Sequence, residues 1–410
     1  MSTPKKTSKI MKPQSDRHCV LMTALLAILC LNGARVEAAE PEMVDVFVSG
    51  TNGYHTYCIP ALIATPKGTL LAFCEGRKYR KIDEAPADLV LRRSIDGGKT
   101  WLPMQVIVKA VPEAAMDPTL VIDRDTGVII MMYDLFPEYI KDTWPANYHR
   151  PSGLGRDSVT TWLATSSDEG ATWSTPIDIT AMAKKPEWTV TIHGEGLGIQ
   201  TRSGRLVIPC SALGQTFVNY SDDHGKTWKI SDNGTGPSNC EVQMVELTNG
   251  TLLLNIRSGR RKGCRAGAIS SDGGKTWGEM FDIPELPDEQ STPGCHASIL
   301  RYTWADQQGG RSRILFSNPA STQGRKNGTV RLSYDEAKTW PVAKVLNKDS
   351  FAYSCLAVLP DGTICCLFDH ADWSKTIFAR FSLEWLTDGK DSLKPPQKCF
   401  WNRLFRWIFP

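Results

Sequence analysis

Ser94-Ile95-Asp96-Gly97-Gly98-Lys99-Thr100-Trp101 is the first of five copies of the octet S-x-D-x-G-x-T-W in this 410-residue chain. The others run from Ser166 to Trp173, Ser221 to Trp228, Ser270 to Trp277 and, with Ala337 in the glycine position, Ser333 to Trp340. Each octet has the chemistry of a tight β-turn: Ser and Asp side chains bond turn amides, Gly accepts a positive φ, and Trp buries a large ring. Their aspartates are therefore read as structural staples and not as catalysts. Spacings of 72, 55, 49 and 63 residues are too uneven for stacked identical units. They fit four-stranded blades with loops of variable length.

A second pattern interleaves with the first. Turn glycines close the triplets Pro66-Lys67-Gly68, Asp125-Thr126-Gly127, Arg202-Ser203-Gly204, Thr248-Asn249-Gly250, Gln308-Gly309-Gly310 and Pro360-Asp361-Gly362, flanked by apolar runs such as Leu252-Leu253-Leu254. Each reads as a β-hairpin. Six hairpins predict an all-β, six-bladed β-propeller over residues 39–390, with no second domain.

Composition agrees with a folded, exported protein. The chain is 41% hydrophobic and 22% charged, with a net charge of +3. That surplus sits in residues 1–38, so the body is close to neutral and nucleic acid is not an expected partner. The basic stretch, the apolar run Val20 to Leu31 and Val36-Glu37-Ala38 read as a signal peptide over residues 1–38. The expected location is secreted or periplasmic. The cysteines beyond it show no C-x-x-C and no paired histidine spacing, so a zinc site is not expected. Most lie in apolar runs such as Ile364-Cys365-Cys366-Leu367, where a thiol acts as a small hydrophobe. The tail, residues 391–410, holds an amphipathic pattern: Phe400, Trp401, Leu404, Phe405 and Ile408 share a helical face opposite Arg403 and Arg406. It predicts docking against the propeller or peripheral membrane contact.

Residues equally far from a hairpin turn lie side by side at its other end. Nine before and seven after Gly250 stand Glu241 and Arg257; the same offsets around Gly362 give Tyr353 and Asp369. Around Gly68 they give Ile59, next to Cys58, and Glu75; around Gly204, Glu195 and Ser211. In a propeller these ends converge on the central mouth, which predicts a polar site. Trp144, Tyr148, His149 and Trp188 lie in long loops and carry no assigned role.

Together with the Asp boxes, Tyr57-Cys58-Ile59-Pro60-Ala61-Leu62 resembles the sialidase (neuraminidase) family, whose opening motif is F/Y-R-I-P. The likeness spans about residues 45–385 and continues through Glu75-Gly76-Arg77, Leu91-Arg92-Arg93-Ser94, Gly196-Leu197-Gly198-Ile199-Gln200, Phe316-Ser317-Asn318-Pro319 and Ala352-Tyr353-Ser354. It resembles the bacterial-type exo-sialidases.

The resemblance implies roles. Tyr353 matches the nucleophile, Glu241 its assisting base, and Asp83 the acid/base, with Glu84 and Asp88 as rivals. Arg257 and Arg325 match the second and third arginines that grip the substrate carboxylate, and Arg77 a further substrate-facing arginine. The first arginine is absent: Cys58 takes its place, and its bracing glutamate is here Asp369. The implied activity is release of terminal sialic acid from glycoproteins, glycolipids or oligosaccharides with retention, without cofactor and weakened by Cys58. A hydrolase for a related acidic nonulosonate sugar and a catalytically silent sialoglycan-binding propeller are the alternatives.

Overall fold

The computed structural model describes residues 1, 39–83, 85–138, 151–236, 241–257, 259–290, 294–306 and 310–393. The expected signal peptide, all but the first residues of the tail, Glu84, and the loop residues Trp144, Tyr148 and His149 lie outside these residues. From Glu42 onward the described chain is almost entirely β, with two four-residue helices at Thr180–Ala183 and Leu383–Leu386. Among the described residues no helix is long and apolar enough to cross a membrane.

All six hairpins form. Thr56–Ala64 pairs with Leu70–Arg77, Ala114–Ile122 with Ile129–Phe136, and Ile199–Gln200 with Leu206–Ala212. Val242–Glu246 pairs with Leu252–Ile256, Ser298–Thr303 with Arg313–Pro319, and Ser354–Val358 with Ile364–Asp369. The result is a β-propeller arrangement, but the expectation of six separate blades needs correcting. Four blade-sized sheets of four or five strands stand alone, and the first two hairpins share one nine-stranded sheet. The join is a single parallel pairing of Ala87 with Ala114, where the strand Ala87–Ser94 meets Ala114–Ile122. Neither alanine has a side chain beyond Cβ to hold the two backbones apart.

One sheet fastens the ends of the propeller. Its order is Glu42–Val48, Lys375–Phe381, Ile364–Asp369, Ser354–Val358, so the first described strand lies beside the last. Such a closure removes the free edges that isolated sheets expose.

The five octets hold their turns as their chemistry requires. Ser94 Oγ accepts the Gly98 N–H and donates to Asp96, whose carboxylate takes the N–H and O–H of Thr100. Asp168, Asp223, Asp272 and Asp335 repeat the pattern. These bonds hold the carboxylates below their usual range; at Asp96 and Asp168 the Thr O–H contributes most. Trp101 meets Phe378 of the closing sheet edge-on at 5.1 Å. Gly98 is needed twice over: its φ is +89°, and a Cβ there would stand 2.2 Å from the Phe378 ring. Ala337 keeps the same turn bonds with φ at +63°.

Neighbouring sheets are clamped at the hairpin face. Asp123, beside the second hairpin, accepts from Gln200 Nε2 at 2.8 Å and His224 Nδ1 at 2.9 Å. Asp123, Asp125 and His224 are the described residues whose ligand atoms come within metal-binding range of one another. The Asp123 carboxylate there also takes the Asp125 N–H and the Thr126 O–H, so it is already filled by donors. All eight described cysteines are free thiols, and seven are buried.

Gly98→Ala is expected to destabilise the fold by more than about 2 kcal/mol, because it adds left-handed strain to a clash. Ala337→Gly is expected to stabilise it by up to about 1 kcal/mol by relieving the same strain. Denaturant unfolding of the two variants measures both, and equal shifts would contradict this account.

Candidate active site

Arg77, Asp83, Glu241, Arg257, Arg325 and Tyr353 line one cavity of about 470 Å³. They come from sheets far apart in sequence. Arg77 ends the strand Leu70–Arg77, Glu241 precedes Val242–Glu246, Arg257 follows Leu252–Ile256 and Tyr353 precedes Ser354–Val358. Asp83 and Arg325 project from loops between strands. The offset rule holds at two hairpins: the Arg257 N–H donates to the Glu241 carbonyl at 3.0 Å, and the Asp369 N–H to the Tyr353 carbonyl at 2.9 Å.

It fails at Gly204. Ser211 pairs with Ile192 and not with Glu195. After His193 the chain leaves this partner, and Gly196–Leu197 runs parallel to Thr119–Leu120 of the nine-stranded sheet. Glu195 therefore sits where the chain crosses between two sheets, and it still lines the cavity.

The centre of the site is a three-way contact. Tyr353 donates its O–H to Glu241 Oε1 at 2.5 Å, Arg257 Nη1 is ion-paired with the same oxygen, and Arg257 Nη1 also stands 3.2 Å from the phenolic oxygen. Arg325 lies over the Tyr353 ring at 5.2 Å. His296 meets the ring edge-on at 5.6 Å. Burial works against the charged form of Glu241, yet the Arg257 guanidinium outweighs it and holds the carboxyl below its ordinary range. Burial and then the Glu241 charge push the Tyr353 phenol well above its usual value, against the pull of Arg257 and Arg325. The resting site is thus a neutral phenol hydrogen-bonded to a carboxylate, the arrangement of a nucleophile with its base.

Arg77 is fastened on both sides. Its Nε and Nη2 donate to Glu75 Oε2 at 3.0 and 2.9 Å, and its Nη1 reaches Asp83 Oδ1 at 3.0 Å. Asp83 is 67% exposed at the cavity rim. Its rival Asp88 is buried and occupied by the Tyr54 O–H and the N–H groups of Ala110 and Val111.

Cys58 and Asp369 lie behind the cavity wall, fully buried, and Ile59 faces the cavity in their stead. The Cys58 thiol is 3.8 Å from Glu75 Oε2, and burial pushes it well above its ordinary value, so it is neutral. Asp369 accepts the Ile59 N–H at 3.0 Å and the Thr376 O–H at 2.7 Å. Burial pushes it up to about 7 despite those bonds.

Several lining residues escaped the sequence reading. Asp117 stands ten residues before Gly127, one off the rule, because the register slips between Met116 and Thr119. Met116, Phe136, Val190 and Ile192 form an apolar wall. Trp373 lies over Arg77 at 5.0 Å. No charge or turn pattern marks these positions. Trp188 is buried against Phe217 and does not reach the cavity.

A profile of the BNR repeat-like domain family matches residues 68–366. A sialidase of Micromonospora viridifaciens is 37% identical over 363 residues, covering 83% of this chain and 54% of its own. The chain thus spans about half the length of that relative. A sialidase of Paraclostridium sordellii is 30% identical over 364 residues, covering 80% of this chain and 86% of its own. Among solved structures, the Hadza microbial sialidase Hz136 superposes with a TM-score of 0.76 at 30% identity, covering 84% of this chain and 69% of its own.

The elevated Asp369 sets the sign of a pH effect. The unfolded carboxyl ionises near pH ~4, whereas the folded one holds its proton to about 7. Its contribution to stability is therefore complete below pH ~4 and is lost as pH rises toward 7. Asp369→Asn, which stays neutral, is expected to gain in melting temperature relative to the parent progressively across that window. A constant difference from pH 4 to 7 would contradict the assignment.

Proposed function

Since this chain belongs to the sialidase family, we propose that it is a retaining exo-sialidase that releases terminal sialic acid from glycoproteins, glycolipids or oligosaccharides. The observation that carries this reading is the Tyr353–Glu241–Arg257 contact inside a cavity that also holds Arg325 and Asp83.

The chemistry of the substrate accounts for each residue type. Sialic acid bears a carboxylate on its anomeric carbon, so the carboxylate nucleophile of ordinary retaining glycosidases would be repelled. A phenol carries no charge to repel. In this mechanism Glu241 takes the Tyr353 proton as the phenolic oxygen attacks the anomeric carbon. Asp83 protonates the departing glycosidic oxygen and then draws a proton from the water that releases the sugar. Arg257 and Arg325 offer planar forks for the sugar carboxylate.

The first arginine of that grip is missing, and a buried neutral thiol cannot supply its charge or its donors. Removing one partner of a buried charge pair costs about 2–5 kcal/mol. Activity is therefore reduced and not abolished. The same observation favours one second reading: a pocket with two arginines suits a related acidic nonulosonate, and a sialoglycan-binding protein is the outcome if turnover is absent. The basic stretch, apolar run and small-residue site at the amino end favour action outside the cytoplasm.

Hydrolysis of a fluorogenic sialoside, alongside glycan binding, tests the reading; binding without turnover would overturn it. Tyr353→Phe and Glu241→Gln are expected to lose at least about 100-fold in kcat while remaining folded, and wild-type turnover in either would refute the mechanism. Asp83→Ala is expected to lose more with a poor leaving group than with an activated aryl sialoside, and equal losses would remove its acid role. Cys58→Arg is expected to raise kcat/KM by about ten-fold or more, the lower end of the missing charge contact at ~1.4 kcal/mol per decade; no gain would mean that the two remaining arginines suffice.

A further inference from the structure

Glu195 lines the cavity and has no part in the mechanism above. Its backbone is clamped from several sides. Gln243 Nε2 and His296 Nε2 both donate to its carbonyl, at 2.7 and 2.9 Å. On one flank a Cβ at Gly194 would stand 2.1 Å from the Val242 carbonyl, and on the other Gly196 has φ at +101°. One residue further back, His193 is held by Asp134 and Asn219 through its two ring nitrogens. A segment fixed this tightly presents the Glu195 side chain in one place.

That side chain is 97% buried by residue, and its Oε2 has no hydrogen-bond partner. Leaving such a group unsatisfied costs about 1–3 kcal/mol, a penalty that a ligand on the other side can remove. Ionisable groups reach it from the elements packed against it: Glu241 and Arg257 from the next sheet, Asp117 and Glu75 from the nine-stranded one, and His296, which burial holds below its ordinary range, at its carbonyl. Burial, and next the Glu241 charge, push its carboxyl well above the usual range, with Arg257 opposing. Asp117 is pushed the same way by burial and then by Glu195 itself. A protonated carboxyl offers one O–H donor, whereas an ionised one beside Glu241 would repel an acidic ligand.

We infer that Glu195 is a further substrate-binding residue, whose O–H donates to an oxygen of the bound acidic sugar. This rests on the sialidase reading of the cavity. The residue contacts ligand without exchanging a proton with it, so the effect falls on binding and leaves the chemical step intact.

Glu195→Ala and Glu195→Gln are compared with the parent in two assays: kcat and KM on a fluorogenic sialoside between pH 5 and 9, and calorimetric binding of free sialic acid. Melting curves establish folding. Removal of the donor in the Ala variant is expected to raise KM and the dissociation constant by about ten-fold or more, with kcat within about three-fold. The Gln variant keeps an N–H donor and stays within about three-fold of the parent near neutral pH. At alkaline pH the parent loses affinity as Glu195 ionises, and the Gln variant does not. Unchanged affinity in the Ala variant, or the same alkaline loss in the Gln variant, overturns the inference. A parent that neither binds nor hydrolyses sialosides overturns the sialidase reading first, and the inference with it.

Discussion

The site depends on one shared oxygen: Glu241 Oε1 is held at once by the Arg257 guanidinium and the Tyr353 hydroxyl. Each partner needs the others. The Arg257 charge keeps the buried Glu241 carboxyl below its ordinary range, and that carboxylate takes the Tyr353 O–H. A carboxyl at this depth stays ionised because a guanidinium reaches it from the adjacent strand, and that adjacency is itself a backbone hydrogen bond across a hairpin. The propeller contributes what a smaller fold does not: it brings the Tyr353 strand from a different sheet to within hydrogen-bond reach of this pair.

Charges of both signs surround that contact. Arg325 lies over the Tyr353 ring, Asp117, Glu195 and Arg77 line the same cavity, and Glu75 holds Arg77. Burial and neighbouring like charges push the Glu75, Asp117 and Glu195 carboxyls above their usual range. The apolar residues Met116, Phe136, Val190 and Ile192 form one wall of the lining.

The buried Cys58 thiol brings no charge to its side of the wall. Asp369, also fully buried, holds the Ile59 amide and the Thr376 hydroxyl. A lone buried carboxylate is expensive, and this one becomes neutral near pH 7. Its burial is thus a stability effect with its own pH signature. Arg77 stays where it is, because Glu75 and Asp83 hold all three of its nitrogens.

The sequence by itself determined the turns, the hairpins and part of the cavity lining. The octets are local hydrogen-bonding units whose partners lie within four residues, so each turn can be read from its own residues. Strand pairing across a tight hairpin is equally local, which is why counting from Gly250 and Gly362 brought Glu241 to Arg257 and Tyr353 to Asp369. The same counting misses Asp117 by one residue, where a bulge slips the register, and misplaces the partner of Glu195, where the chain changes sheets. Bulges and crossovers are decided by packing between sheets, and so is the merging of the first two hairpins into one sheet through Ala87 and Ala114. Tertiary structure alone also decided that Cys58 and Asp369 lie behind the wall with Ile59 in front, and which carboxyls are deep enough to keep their protons. Burial is a property of the assembled ring, and no residue carries it in its neighbours along the chain.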